Sequence, residues 1–295
     1  MNLPENINLP FFAYGIFKPG ELGFLRLKRW IAQCADKTIP GKILIRDGLP
    51  IAFPGVGIGI AGSLIQFQSG IENEAYRSIV ELEPEYQYKW TPVEVASKSG
   101  DPNVFANCLI GKNEKGCEEP HAHWTGREDP LFNEALEVVE EVMSKMDKRQ
   151  FSEFDLKPLF RLEMAYLLLW TSIERYASMR YNLSDKATNK VNQIAAESAF
   201  RDALLKHTVA QIQSRELRRA DDPSQKLVLN REVPKKAMGY YHQVRNNLVH
   251  RGKGAYNDYK HLSLSLVELL PIFRETLQAA FEESQWREQA ISDPK

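Results

Sequence analysis

In the stretch YYHQVRNNLVHRGKG, from Tyr240 to Gly254, a helix-like pattern of apolar residues runs into two glycines. Arg245, two asparagines and His250 fall in six consecutive positions of this stretch. Glycine just after a helix is a common C-cap, and cations near a helix C-terminus complement the helix dipole. Capping therefore accounts for the glycines and the basic residues, and it leaves open whether the arginine and the histidine also form a site.

Arg245 and His250 offer complementary chemistry to a phosphodiester. Arginine is always charged and its planar fork matches phosphate oxygens, whereas histidine titrates near neutrality and can move a proton to or from a ribose 2′-hydroxyl. At about 100° per residue, the two positions lie roughly 140° apart around an ideal helix. Joint action on one phosphate therefore requires long side-chain reach, a loosened last turn or a second subunit. A third ionisable residue, His242, lies one turn before Asn246 and could join the site, although a lone histidine on a helix is more often a packing or surface residue.

The charge of the chain is unevenly distributed around this stretch. The net charge is −1, yet residues 151–295 hold 22 Lys and Arg against 18 Asp and Glu, and the remainder holds 16 against 21. Between Lys206 and Lys260 there are 12 basic and 5 acidic residues, a net +7. A basic surface favours a polyanionic partner, nucleic acid being the commonest. A solvated helical surface with extra lysines is the alternative.

Helical periodicity extends on both sides of the opening stretch. Asp129-Pro130 resembles a helix start, with proline at a tolerated first-turn position, and that pattern runs to about Lys148. A polar segment from Gln211 to Glu232 lacks a consistent period. The remaining predicted helices are Leu156–Asn182, Asp185–His207, Pro234–Arg251 and Tyr256–Glu288. These patterns predict an all-α bundle.

The Arg-Asn-x-x-x-His spacing of Arg245, Asn246 and His250, near the end of a late helix, resembles that of the HEPN (higher eukaryotes and prokaryotes nucleotide-binding) superfamily. The long early helix carrying LLLWTSIERYASMRY, with Glu174 on an apolar background, is similar to the first helix of that superfamily. The resemblance covers about residues 150–288. It implies a HEPN-like helical bundle that forms a homodimer, in which the Arg and His of both subunits line one cleft.

In catalytic members of the superfamily, the histidine acts as acid and base and the arginine stabilises the phosphate, leaving a 2′,3′-cyclic phosphate end. Several other members only bind. Resemblance to the catalytic members implies that Arg245 and His250 are catalytic in an RNA-cleaving protein. It also implies that the neighbouring polar and basic residues contact RNA phosphates, namely Asn246, Arg251 and Lys253.

The N-terminal third has a different pattern, from Phe11 to about Leu109. Its runs FFAYGIF, KILIRD, SLIQFQ, YKWTPVEVA and VFANCLI are short and rich in aromatic and β-branched residues, and Gly, Pro, Asp or Asn separate them. Gly20–Ala35 is the clearest short helix there, and Glu72–Leu82 is a second. The pattern predicts a small α+β or barrel-like domain, so the whole chain is predicted to be α+β.

The stretch FFAYGIFKPGE ends a predicted strand on Tyr14-Gly15 and turns toward a helix, a junction at which backbone N–H groups can face an anion. It is followed in order by DGLPIAFPG, GSLIQF and YRSIVELEPEYQYKWTPVEV. Together these motifs resemble the gamma-glutamylcyclotransferase-like family over about residues 10–125. The fold that this resemblance implies is a small mixed barrel domain.

In that family, the loop amides hold the glutamyl group while a glutamate shuttles a proton as the α-amine attacks the γ-carbonyl, releasing 5-oxoproline. The resemblance makes Glu83 that acid, with Glu81 and Glu85 one strand step away on either side. A carboxylate in a partly apolar pocket has a raised pKa and can act as base and then acid near neutral pH. The ligand-binding loop corresponds to Tyr14, Gly15, Ile16 and Phe17. The family usually has Ser or Thr and then Leu after Tyr-Gly, and Ile16-Phe17 departs from this.

Several classes of protein are excluded by composition. The three scattered cysteines, Cys34, Cys108 and Cys117, argue against a disulfide framework, and the N-terminus lacks the features of a secretory signal. No apolar run reaches the roughly 20 residues of a membrane helix. Cys117, His121 and His123 lack the further Cys or His ligands of a structural zinc site. We therefore predict a cytoplasmic protein with no metal, no cofactor and no membrane partner.

These observations predict a gamma-glutamylcyclotransferase-like domain over residues 1–125, a linker helix over 126–150 and a HEPN-like bundle over 151–295. The leading hypothesis is a metal-independent endoribonuclease of the toxin or defence type, with RNA as partner and the first domain as a sensing or regulatory module. A second hypothesis is a cyclotransferase acting on a small gamma-glutamyl ligand, with the bundle serving dimerisation. The third is a non-catalytic binding protein.

Overall fold

The computed structural model describes residues 1–95, 104–118, 123–146, 156–181, 187–208, 215–251 and 256–286. The chain divides into two compact units. The first, here the N-terminal unit, comprises residues 1–129 and 280–295, and the second, here the helical unit, comprises residues 130–279. Residues 280–295 thus group with the N-terminal half of the chain. The domain boundaries predicted after residues 125 and 150 stay a prediction.

The N-terminal unit is built on a five-stranded sheet with the order β2-β5-β1-β7-β6. β1 runs parallel to β7, and the other neighbours are antiparallel. A separate hairpin joins β3 to β4. The strands are β1 Phe11–Ala13, β2 Ile31–Ile39, β3 Gly41–Arg46, β4 Leu49–Pro54, β5 Ile60–Phe67, β6 Tyr88–Val95 and β7 Val104–Gly111. The helices are α1 Phe24–Leu27, which continues into a 3-10 turn Lys28–Trp30, and α2 Glu72–Val80, with a further 3-10 turn at Gly126–Glu128.

The core of this unit lies between the sheet and α2. All three residues of β1 are buried, as expected for a strand at the centre of a covered sheet. Tyr76 of α2 contacts the rings of Phe67 and Trp90 edge-on, each at 5.4 Å between centroids. Its hydroxyl donates to the Leu9 carbonyl at 2.7 Å and accepts from the buried Asn107 amide at 3.0 Å. The strands predicted at 42–47, 63–68, 88–96 and 104–110 and the helix predicted at 72–82 are confirmed within a few residues.

The predicted helix over Gly20–Ala35 is wrong in its second half. Only four residues form α1, and from Ile31 the chain becomes edge strand β2, which pairs antiparallel with β5 up to Ile39. Pairing with a partner about 30 residues away overrides the local helical pattern. The β3–β4 hairpin was also missed, although Asp47 (φ 54°) and Gly48 (φ 77°) form the two-residue turn that Asp-Gly favours.

The helical unit consists of six helices and one hairpin among its described residues. Pro234–Arg251 is confirmed at both ends, whereas the predicted helix over Asp185–His207 divides in two around Ala195–Glu197. The segment Gln211–Glu232, predicted to be a polar loop, contains the hairpin. The elements are α3 Glu134–Met146, α4 Leu156–Arg180, α5 Ala187–Ile194, α6 Ser198–His207, β8 Glu216–Arg218, β9 Lys226–Val228, α7 Pro234–Arg251 and α8 Tyr256–Glu283, whose last four residues belong to the N-terminal unit.

Helix α4 is the central helix of this unit. Twelve of its 25 residues are buried, and Trp170, Tyr166 and Tyr176 are among the largest fully buried side chains. The Tyr166 hydroxyl donates to the backbone carbonyl of Tyr241 in α7 at 2.8 Å, which joins the two helices that carry the predicted RNA-site residues. None of the helices within the described ranges is long and apolar enough to cross a membrane.

Candidate functional site

Arg245 of α7 and Glu174 of α4 form an ion pair in the helical unit. The distance from Arg245 Nη2 to Glu174 Oε1 is 3.2 Å, and the two side chains are 29% and 38% exposed. Arg245 Nη1 also donates to Asn246 Oδ1 at 3.3 Å. The structure therefore brings together three residues that the sequence resemblance singled out, and it leaves the guanidinium partly exposed at the surface.

The rest of the predicted RNA site is only partly described. α7 stays helical through Arg251, so the backbone shows no loosened last turn before that residue. The side chains of His250 and Arg251 lie outside the described part of the chain, as does Lys253 altogether. Joint action of Arg245 and His250, whose helical positions differ by roughly 140°, therefore stays a prediction.

His242 lies one turn before Arg245 and packs against Trp170 of α4. The ring centroids are 5.2 Å apart, with a tilt of 58°. Burial lowers the pKa of His242, and the charge of Arg245 lowers it further. The imidazole is therefore neutral at neutral pH and serves as a half-buried packing group beside the arginine.

Asn247 belongs to the same motif, and its structural role was not predicted from the sequence. It is 5% exposed, and its amide joins α7 to the β8–β9 hairpin: Nδ2 donates to the Arg218 carbonyl at 2.8 Å, and Oδ1 accepts from Ala220 N at 2.9 Å. Gln243 Nε2 also donates to Oδ1 at 2.8 Å. No signal in the sequence distinguishes the buried Asn247 from the half-buried Asn246, because the hairpin partner is set by tertiary structure.

A buried charged group lies at the root of the same hairpin. Arg215 Nη2 contacts Glu268 Oε2 of α8, with the side chains 4% and 2% exposed. The Tyr241 hydroxyl donates to the same carboxylate oxygen at 2.8 Å, and burial, followed by the charge of Glu268, raises the Tyr241 pKa. Buried charges require partners of this kind. The start of the hairpin is thus fixed to the bundle core.

Pairing reduces the free positive charge of the segment from Lys206 to Lys260. Within the hairpin, Arg219 pairs with Asp221 at 2.6 Å and Lys226 pairs with Glu216 at 2.8 Å. In contrast, no carboxylate lies within 4.0 Å of certain cations in the described ranges: Arg218, Lys235 and Lys236. The accessible positive charge is therefore more localised than the net +7 implies.

In the N-terminal unit, Tyr14 is buried at the end of β1 and Glu83 is half-buried after α2. Burial raises the Tyr14 pKa, nearby Tyr88 and Cys108 raise it further, and the charge of Glu83 adds to the effect. Glu83 thus lies within electrostatic range of the Tyr14 phenol. A Cβ on Gly15 would lie 2.9 Å from Pro50 Cγ, so the loop passes close to β4.

The two residues that depart from the family pattern are part of the core. Ile16 is 8% exposed and Phe17 is 3% exposed, and the Phe17 ring meets Phe11 edge-on at 6.1 Å. Their side chains anchor the loop by apolar burial, where the family places a hydroxyl and a leucine. Any ligand contact at these two positions is therefore left to the backbone.

Glu21 is a second carboxylate near this loop, and it was missed. It is 3% exposed and accepts from Gly126 N at 2.6 Å. Burial raises the pKa of Glu21 to about 7, although the Gly126 N–H and Lys18, at 4.0 Å, act in the opposite direction. Lys18 Nζ contacts the Trp124 carbonyl, so both charged residues fasten the segment around Gly126. No local pattern reveals this role, because Gly126 is 105 residues away.

Within the described ranges, no group of three or more His, Cys, Asp or Glu is placed to hold an ion. Cys117 accepts from Arg46 Nη2 at 3.3 Å, and His121 lies outside the described residues. All three cysteines are free thiols.

Comparisons with known proteins add little. No protein-family model matches the chain, and a search of curated proteins finds no match. Among solved structures, the chain is similar to an uncharacterized protein from Pyrococcus horikoshii, with 19% identity over 48% of this chain and 99% of the other and a TM-score of 0.28. A protein from Arabidopsis thaliana, solved in solution, shows 16% identity over 50% and 98%, with a TM-score of 0.29. At such TM-scores the likeness carries no inference, so function rests on the residues themselves.

Proposed function

We propose that this protein is a metal-independent endoribonuclease of the HEPN type, acting in a toxin or defence role, with the N-terminal unit as a sensing or regulatory module. The observation that supports it is the Arg245–Glu174 pair. An ion pair this exposed contributes at most about 1 kcal/mol to stability. Its larger effect is to orient a guanidinium at the surface of α7, about one and a half turns before the position of His250.

The proposed reaction needs no water and no metal. His250 takes the proton from a ribose 2′-hydroxyl, the 2′-oxygen forms a bond to phosphorus, and the bond from phosphorus to the 5′-oxygen breaks. A proton returns to the departing 5′-oxygen, leaving a 2′,3′-cyclic phosphate and a 5′-hydroxyl. Arg245 stabilises the negative charge on the phosphoryl oxygens. Because the two residues lie on different sides of α7, a second copy of the chain is proposed to complete the site.

The test is cleavage of a labelled single-stranded RNA by the full chain, with analysis of the 3′ ends and with EDTA present. Loss of a general acid and base is expected to slow cleavage by about 10²- to 10⁴-fold in His250→Ala. The cleavage rate of Arg245→Ala is expected to fall by a similar factor, and Arg245→Lys is expected to recover part of it. His207→Ala, a histidine on α6 that pairs with Glu275, is the matched control. Cleavage by His250→Ala at the rate of the unmodified protein would refute the proposal.

A second candidate function is a gamma-glutamylcyclotransferase activity acting on a small gamma-glutamyl ligand, and it is favoured by the electrostatic effect of Glu83 on the pKa of Tyr14. The substrate α-amine would attack the γ-carbonyl, the γ-amide bond would break, and Glu83 would carry the proton to the departing amine. Release of 5-oxoproline that disappears in Glu83→Gln and persists in Glu85→Gln would support it. If no substrate of a gamma-glutamyl amine and peptide panel releases 5-oxoproline, this unit is left as a binding module.

A further inference from the structure

We propose that Arg218, on the β8–β9 hairpin, is a further phosphate-binding residue of the RNA site, and that Asn247 is the positioning residue that holds it there. The inference rests on the proposed function, because the ligand is the same RNA strand. Two features of the hairpin carry it: the way α7 holds the hairpin backbone, and the position of Arg218 among cations that are otherwise paired.

The Asn247 amide holds the hairpin on both sides of Arg219. Its Nδ2 donates to the Arg218 carbonyl at 2.8 Å, and its Oδ1 accepts from Ala220 N at 2.9 Å. Gln243, one turn earlier on α7, donates a third hydrogen bond at 2.8 Å and so orients the amide. Since the whole amide is buried, these bonds are protected from competition with water.

The hairpin borders the strip of α7 that runs from Arg245 to the position of His250, because Asn247 holds the hairpin beside it. At about 100° per residue, the position of Asn247 lies roughly 60° from that of His250 and about 160° from that of Arg245. Between Arg245 and the position of His250 lie the half-buried Asn246 and Val249, which is 50% exposed. One edge of this strip therefore carries the Arg245–Glu174 pair, and the other edge adjoins the hairpin.

Hydrogen bonds within the hairpin loop hold its backbone and side chains in one arrangement. Asp222 accepts from Ser224 N at 3.2 Å, from Ser224 Oγ at 2.6 Å and from Gln225 Nε2 at 2.8 Å. Arg219 donates to both carboxylate oxygens of Asp221, at 3.0 and 2.6 Å. A preorganised loop loses little conformational entropy on binding, which favours its use as a recognition element.

Arg218 differs from the other cations of the hairpin. Arg219 and Lys226 form ion pairs with Asp221 and Glu216 inside the hairpin itself, whereas no described carboxylate pairs with Arg218. Arg218 is exposed, and its described side-chain contact is a hydrogen bond from Nη1 to the Pro223 carbonyl at 3.2 Å. Its Nε and Nη2 are therefore available to a phosphate, whose oxygens fit the guanidinium fork. An RNA strand bound along this strip of α7 would present a neighbouring phosphate to the Arg218 guanidinium.

The test measures RNA binding directly, in a His250→Ala background that prevents cleavage, with a fluorescent single-stranded RNA at a series of salt concentrations. Arg218→Ala is expected to weaken binding about three- to tenfold and to lower the slope of log affinity against log salt by about 0.7, as loss of one phosphate contact requires. Lys226→Ala, which removes an equal but already paired charge, is the matched control and is expected to change affinity less than about twofold. Asn247→Ala is expected to reproduce the Arg218→Ala effect.

The outcomes separate this inference from the proposed function. Unchanged RNA affinity in Arg218→Ala would overturn the inference even if the unmodified protein cleaves RNA. RNA binding that depends on Arg218, without cleavage, would support the inference and refute the nuclease. Displacement of the RNA by poly-L-glutamate at equal charge concentration would assign the hairpin to an acidic polypeptide instead. Absence of RNA binding would refute both, and Arg218→Ala decides the question if Asn247→Ala fails to fold.

Discussion

The guanidinium of Arg245 lies 3.2 Å from the carboxylate of Glu174, so the last two turns of α7 and of α4 are joined through an ion pair at the surface. The helices are also joined inside the bundle, where the Tyr166 hydroxyl donates to the Tyr241 carbonyl at 2.8 Å. The buried bond supports the packing, and the exposed pair determines where the guanidinium points. The two contacts should therefore respond differently to substitution.

Glu174→Gln tests the orienting role of this pair. We expect RNA cleavage to fall about tenfold or more, because a mispositioned phosphate ligand loses transition-state stabilisation. The free energy of unfolding should change by less than about 1 kcal/mol, since both side chains are partly exposed. Cleavage rates and urea unfolding measure the two effects. Glu216→Gln, which breaks a similarly exposed pair in the hairpin, should leave cleavage unchanged, and an equal loss there would argue against a specific role for Glu174.

Removal of Arg215 alone should destabilise the helical unit strongly. Arg215→Met removes a cation that contacts the buried Glu268 carboxylate, and we expect a loss of about 3–5 kcal/mol in the free energy of unfolding. The double variant Arg215→Met with Glu268→Gln removes both charges and keeps an acceptor for the Tyr241 hydroxyl. In urea unfolding, the double variant should regain at least half of the free energy of unfolding that the single variant loses. Equal stability of the single and double variants would show that the buried charge is not the cause.

Glu21 should make the N-terminal unit less stable as the pH rises. Its folded-state pKa of about 7 exceeds its ordinary value of 4.5, so its contribution is fully present below about pH 4.5 and is lost as the pH rises through about 7. The difference corresponds to about 3 kcal/mol. Glu21→Gln should remove this decline while retaining an acceptor for the Gly126 N–H.

Urea unfolding at a series of pH values, together with hydrogen exchange of the Gly126 amide, measures this effect. Glu85→Gln, which removes an exposed carboxylate of the same unit, should keep the pH dependence of the unmodified protein. If the free energy of unfolding of Glu21→Gln falls with pH as steeply as that of the unmodified protein, other groups cause the pH dependence.

Two glycine substitutions should have opposite effects on stability. A Cβ at Gly239 in α7 meets nothing within 4 Å. Gly239→Ala should therefore raise the free energy of unfolding by about 0.5–1 kcal/mol, because alanine lowers the conformational entropy of the unfolded chain. A Cβ at Gly62 in β5 would lie 2.4 Å from the Ala13 carbonyl oxygen and 2.8 Å from Phe12 Cζ. Gly62→Ala should therefore cost about 1–3 kcal/mol. Thermal unfolding compares them, and a stabilising Gly62→Ala would contradict the close packing of β5 on β1.

Elements with a strong local signal were predictable from the sequence. The apolar periodicity of Pro234–Arg251, its proline start and the glycine after it define α7 without reference to the rest of the chain. The β-branched runs that became β3, β5, β6 and β7 are similar cases. For the site, the sequence singled out Arg245 and Asn246 by their spacing to His250, and Glu174 as a charged residue on an apolar helix.

Elements that depend on a distant partner were not predictable. Ile31–Ala35 continues a helical pattern, yet it becomes a strand because β5 offers unpaired backbone groups beside it. The β8–β9 hairpin lies in a segment without periodicity and is held by Asn247 and Arg215. Glu21 looks like any surface glutamate until Gly126 packs onto it.

The sequence by itself thus determined the α+β class, the extent of α7 and the residues with phosphate-binding chemistry, because periodicity and side-chain type act over a few neighbouring positions. Only the tertiary structure decided that Glu174 orients Arg245, that Asn247 rather than Asn246 is buried against the hairpin, and that Arg218 meets no carboxylate among the described residues. The physical reason is that burial and hydrogen-bond pairing depend on which distant segments meet in space. The opening stretch therefore supplies the chemistry, and the surrounding helices and hairpin determine where it is presented.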